Sequence, residues 1–152
     1  MQTINDVNDV FKSIADNHQQ IKSFYTHSVD EVDIDQITID DFPLLYAQVT
    51  DASIEGTYTS YTYEVFVATV VFENQRDFVT QIYTETMGIM QDVIAEFHLA
   101  ASSTTSFAPK EWSFEMPVLC EPFTARLTNS LTGWSASFTL RLPSPSNLCD
   151  AL

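Results

Sequence analysis

The run Thr57-Tyr-Thr-Ser-Tyr-Thr-Tyr-Glu-Val-Phe-Val-Ala-Thr-Val-Val-Phe72 is built almost wholly of β-branched and aromatic residues, the composition that fits a pleated, half-buried surface. Its first half alternates, with Tyr61, Tyr63 and Val65 on one face. Its second half, Val65 to Phe72, is apolar on both faces. A strand of that kind belongs in the middle of a sheet that is covered or joined to a partner on each side. The elements before and after it supply what must do the covering.

Upstream, Leu45, Ala47 and Val49 alternate with Tyr46, Gln48 and Thr50 and predict a neighbouring strand. At the N-terminus, Ile4, Val7, Phe11, Ile14, Ile21 and Phe24 or Tyr25 recur at three- and four-residue steps, predicting an amphipathic helix from Thr3 to about Tyr25. Thr3 followed by Asp6 resembles a capping box, and Asp6 and Asp9 suit the positive end of a helix dipole. Downstream, Asn74 and Asp77 can cap a helix from Gln75 to about Phe97. Its stripe of Phe78, Ile82, Ile89, Val93 and Phe97, widened by Val79, Tyr83, Met90 and Ile94, is broad enough to cover a sheet. Gly88 is a weak point in its interior.

Three further alternating runs follow the polar connection Ala100 to Ser106: Trp112, Phe114 and Met116; Phe123, Ala125 and Leu127; and Trp134, Ala136, Phe138, Leu140 and Leu142. Asn129 to Gly133 reads as the hairpin turn between the last two. Pro143 and Pro145 stop the final strand and leave an extended tail over 143–152. The predicted order is α-β-β-α-β-β-β. That makes the chain an α+β protein, two helices packed on a mainly antiparallel sheet, in a single domain spanning 1–152 with residues 1–28 as its N-terminal helical region. A length of 152 residues that are 45% hydrophobic and 12% aromatic supports one good core.

The net charge is −15, which repels phosphate backbones and anionic membrane surfaces, and the six cations are scattered singly. Sequence-specific nucleic-acid binding is disfavoured. No apolar run reaches the length of about 18 residues that spans a membrane, and no leader pattern opens the chain, so a soluble cytosolic protein without a membrane partner is expected. Cys120 and Cys149 read as free thiols.

Val29 to Phe42 places Asp30, Glu31, Asp33, Asp35, Asp40 and Asp41 in a stretch with no Lys or Arg. Aligned from Asp33 on the calcium-loop pattern, the sixth position is Thr38 and the twelfth Leu44, so the pattern fails. The stretch reads as a solvated acidic connection. His18, His27 and His98 show no metal-binding spacing. There is no nucleophile elbow, three glycines cannot form a phosphate cradle, and Cys120 reads as a structural thiol. Glu111, Glu115 and Glu121 read as the wet face of strands instead of an acid–base pair. No catalytic residue, metal ligand or cofactor site is expected; the chain reads as an assembly component and not an enzyme.

The element order, the capped helix Asn74 to Phe97 after a long Tyr/Val strand, and the closing hairpin Phe123 to Leu142 resemble the tail terminator or tail-completion proteins in the neck of tailed bacteriophages. The likeness lies in layout and covers nearly the whole chain. It implies a virion protein, assembled in the bacterial cytoplasm, that forms a ring homo-oligomer, usually a hexamer. Such a ring terminates the tail tube and joins it to the head-side connector, with those neck proteins as partners and DNA as non-specific cargo in the channel. On that reading Asp30, Glu31, Asp33, Asp35, Asp40 and Asp41 face the channel or its rim and let DNA slide. Asn129, Leu131 and Gly133 in the hairpin turn, and Pro145, Leu148 and Leu152 in the tail, are the expected interface residues. Tube, adaptor and sheath-initiating baseplate proteins share the layout and remain alternatives. So does a small α+β ligand-binding domain or enzyme with a pocket between helices and sheet.

Overall fold

The structure, a computed structural model, describes residues 3–26, 42–70, 79–102, 113, 116–126 and 131–143. In chain order the elements are α1 (Ile4–Asn17), β1 (Ser23–Tyr25), β2 (Leu44–Glu55), β3 (Tyr58–Val70), α2 (Val79–Ser102), β4 (Leu119–Arg126) and β5 (Leu131–Pro143). The strands form one sheet in the order β1-β2-β3-β5-β4. Only the β1–β2 pair is parallel. The α+β class read from the sequence is the fold observed.

The central strand is β3, and its pleat explains the core. Residues opposed across the sheet share a face, so Leu45 and Ala47 of β2, Tyr63, Val65 and Val67 of β3, and Ala136, Phe138, Leu140 and Leu142 of β5 line one side. Both helices cover that side. Val7, Val10, Phe11 and Ala15 of α1 and Ile89, Met90, Val93, Ile94 and Phe97 of α2 pack with those residues in one cluster. The opposite side carries a second apolar group, Leu44, Tyr46, Phe66, Ala68 and Leu131, with Tyr25, Phe42, Val70 and Phe123 against it. The two-faced apolar run Val65 to Ala68 therefore serves two clusters at once.

The start of α1 follows the sequence reading: Thr3 is the N-cap, and its backbone N–H donates to Asp6 Oδ2 at 2.7 Å. Its end does not. The helix stops at Asn17, and Ser23–Tyr25 is a short strand pairing Leu44–Tyr46. The helical stripe would next bury position 18, which is a histidine, and Phe24 and Tyr25 are better strand formers than helix formers. Ile21 still reaches the core, which is why the helical spacing extends through it.

At the other end, α2 runs on to Ser102 through residues that read as a connection. Its expected caps, Asn74 and Asp77, lie outside the described residues. Its buried Thr86 returns its hydroxyl to the Ile82 carbonyl at 2.7 Å, so no polar group is stranded there. The Trp134 indole N–H donates to the Tyr83 carbonyl at 2.9 Å and fixes the helix against β5.

Gly88 of α2 has no atom within 4 Å of where a Cβ would sit. Gly88→Ala is therefore expected to raise unfolding free energy by about 1 kcal/mol through helix propensity alone; a urea midpoint unchanged or lowered contradicts this.

The strand expected over Trp112 to Met116 is represented among the described residues by one bridge. Ser113 N–H donates to the Arg141 carbonyl at 3.1 Å, and Arg141 N–H donates to the Ser113 carbonyl at 2.9 Å.

Candidate docking arm and interhelical cleft

The sheet is not equally wide along its length. β1 pairs β2 only over Leu44–Tyr46. Beyond that, the outer edge of β2 as far as Glu55 meets no strand among the described residues. On the far side, β4 pairs β5 no further along than Ser137, after which β5 has, among the described residues, the bridge from Arg141 to Ser113. The remainder is a three-stranded arm of β2, β3 and β5, about 25 Å long at the usual rise per residue.

Its tip is a two-residue turn, Gly56-Thr57, between the paired Glu55 and Tyr58. Gly56 has φ +68, a conformation that hairpin turns require and glycine supplies without steric cost. A bulge at Thr50, between the pairs Val49–Tyr63 and Asp51–Thr62, shifts the register. As a result Val49, Ala52 and Ile54 all lie on the helix-covered side, opposite Tyr63, Tyr61 and Thr59. Ile54 is 83% exposed, Tyr58 45% and Val49 38%. A branched apolar side chain that open to water is unusual in a strand with a free edge, because such an edge invites another chain.

The other face of the arm is polar except at the tip: Asp51, Thr62 and Thr139, then Ser53, Ser60 and Arg141, then Glu55 opposite the exposed Tyr58. Ser60 Oγ donates to Glu55 Oε2 at 2.8 Å, and the Arg141 guanidinium lies 3.6 Å from the same oxygen. That ion pair is open to solvent on both sides and contributes about 0–1 kcal/mol. It orders the tip without anchoring it.

A second concavity lies between the end of α1 and the middle of α2. It has a volume of about 440 Å³ and is lined by Val10, Ile14, His18, Asp92, Ala95 and Glu96 among others. His18 Nε2 is 3.0 Å from Asp92 Oδ2, and the Gln20 backbone N–H donates to His18 Nδ1 at 3.1 Å. Because Nδ1 accepts, the ring proton of the neutral imidazole is on Nε2 and is donated to Asp92. A catalytic His–carboxylate pair needs one ring nitrogen oriented by the acid and the other free to take or give a proton. Here both are occupied, and the pair is a clamp between two helices.

The expected site residues fall in three groups. Leu131 and Gly133, expected in a hairpin turn, are instead buried strand residues of β5. The reason is steric: Gly133 sits where β5 passes close to Val67 of β3, and the absence of a side chain serves that contact and not a turn. Asn129, Pro145, Leu148 and Leu152 lie outside the described residues, as do Asp30, Glu31, Asp33, Asp35, Asp40 and Asp41. Of the residues weighed for chemistry, Glu121 and His98 are exposed. Cys120 is a half-buried free thiol whose pKa is raised by burial, which disfavours the reactive thiolate.

Among the described residues no group of three or more His, Cys, Asp or Glu is placed to hold a metal ion, and no helix is long and apolar enough to cross a membrane. The arm is missing from the sequence reading, although Ala52 and Ile54 alternate up to Gly56 and carry the signal. No protein-family model matches the chain, and no curated protein matches it.

One buried group has no outlet. The Tyr63 hydroxyl finds no hydrogen-bond partner among the described residues, and Tyr63 is fully buried. Its pKa is raised, first by burial and second by the nearby Tyr61. In the unfolded chain a tyrosine ionises near pH ~10. The stability linked to its proton is complete below that value, and falls as pH climbs from there toward the higher folded-state pKa. Tyr63→Phe is therefore expected to add about 1 kcal/mol at neutral pH by removing an unsatisfied donor, and to make the alkaline loss of stability shallower. Urea melts at neutral and alkaline pH test both parts; a destabilised variant contradicts the account.

Proposed function

We propose that the chain is a structural subunit that assembles with copies of itself into a ring, and that this ring is a neck component of a tailed phage. On this reading it terminates the tail tube and joins it to the connector. The observation that carries the assembly part is the arm: among the described residues its β2 edge meets no strand and its β5 edge carries only the Ser113 bridge, two unlike edges, with Ile54 exposed near the tip. Unlike edges favour a head-to-tail contact, and a head-to-tail contact that closes makes a ring. The place in the neck rests on the resemblance in layout. The acidic balance supports it, because a negatively charged channel lets DNA slide instead of holding it. Tube, adaptor and baseplate roles are the nearest alternatives, and negative-stain microscopy separates them: single rings fit a terminator, long stacks a tube protein.

Ile54→Lys tests the arm. The side chain is exposed, so the fold should keep its stability within about 0.5 kcal/mol. A charge in place of the exposed apolar side chain should block association through this edge. The variant is expected to melt like the parent and to sediment as a monomer. A variant that assembles as the parent does removes the arm from the interface.

A further inference from the structure

We infer that His18 is a pH-sensitive latch on the connection that leads from α1 to β1, released when its ring takes up a second proton. The Gln20 backbone N–H donates to His18 Nδ1 at 3.1 Å, two residues back along the chain. An asparagine closes a turn at the same offset through an amide oxygen, whose lone pairs do not titrate. An imidazole nitrogen accepts only while it is unprotonated. In the imidazolium both ring nitrogens are donors, so no rotation of the ring restores an acceptor, and two N–H groups face each other. The Gln20 bond is then lost.

The other half of the clamp survives. Nε2, 3.0 Å from Asp92 Oδ2, carries a proton in both states, and its bond becomes charge-assisted in the protonated one. Acid therefore holds α1 to α2 and frees the segment that follows. That segment delivers β1 to the sheet: Ile21 is buried, the Lys22 N–H donates to the Pro43 carbonyl at 2.9 Å, and Ser23 pairs with Leu44. Among the described residues, the charged groups that share the cleft with the ring are Asp92 and Glu96 of α2. On its own segment stand Asp16 and Lys22, whose Nζ donates to the Gln19 carbonyl at 3.3 Å. Histidine is the side chain whose ordinary charge change falls between pH ~5 and ~8. The inference does not depend on assembly.

The test is residue-resolved amide hydrogen exchange of the full chain at pH ~7.5 and ~5.5, each rate divided by its intrinsic value at that pH. Protection of Gln20 is expected to fall about threefold or more on acidification. Lys22 should follow in the same direction, while Ile94 and Phe97 in α2 keep their protection. His18→Asn supplies an acceptor that works at either pH and should hold Gln20 protection constant. Position 18 ends the helix and Asp92 is largely exposed, so the variant should fold. Equal Gln20 protection at both pH values in the parent overturns the latch, as does a fall of the same size in His18→Asn or in α2. A fall at Gln20 that is absent from Lys22 overturns the claim that the release reaches β1.

Discussion

Gly133→Ala is expected to cost more than about 3 kcal/mol, enough to leave a chain of this size marginally folded or unfolded. A Cβ at this position would overlap the Val67 carbonyl oxygen and come within 2.9 Å of the carbonyl carbon and 3.0 Å of Ala68 Cα. These are backbone atoms in the central strand, so no side chain can turn aside to make room. Gly133 pairs with Ala68 on one side and with Phe123 on the other, and moving it disturbs three strands together. The measurement is urea unfolding followed by circular dichroism. Gly88→Ala, the same chemical change placed in open space, is its control and has the opposite expected sign. A Gly133→Ala protein as stable as the parent would mean that β3 and β5 do not approach as described.

Phe11→Ala should be comparably damaging, by about 3–5 kcal/mol. The Phe11 ring is fully buried and stacks on Phe97 at 4.5 Å with planes 13° apart. It also meets Tyr63 at 5.9 Å and Phe138 at 6.4 Å. One side chain thus joins α1 to α2, β3 and β5, and truncating it opens a cavity that rigid strands cannot collapse to fill. The midpoint of unfolding should fall while the denaturant slope is unchanged. A loss under about 1 kcal/mol would indicate that α1 does not pack on the sheet through this ring.

Some of this is written in the sequence and some is not, for physical reasons. The run Thr57 to Phe72 announces a central strand, because only a strand buried on both sides can hold Val65, Phe66, Val67 and Ala68 consecutively. Alternation from Trp134 to Leu142 gives one face of β5, since a period of two has a single structural meaning. The end of α1 is illegible because Ile21 and Phe24 satisfy a helical spacing while serving a loop and a strand. Gly133 reads as a turn residue because a missing side chain looks the same whether it permits a turn or a close approach between strands.

The candidate site is less legible still. The arm depends on where neighbouring strands stop, which no local pattern encodes. The His18–Asp92 clamp joins positions 74 residues apart, beyond the reach of any spacing rule.

The central claim is that the chain acts by mating its surfaces with copies of itself. Its most direct test is the mass of the purified protein in solution, measured by light scattering across a concentration series. The account predicts a discrete closed oligomer of several 17.2 kDa chains, reduced to the monomer by Ile54→Lys. A protein that stays at 17.2 kDa at every concentration contradicts it.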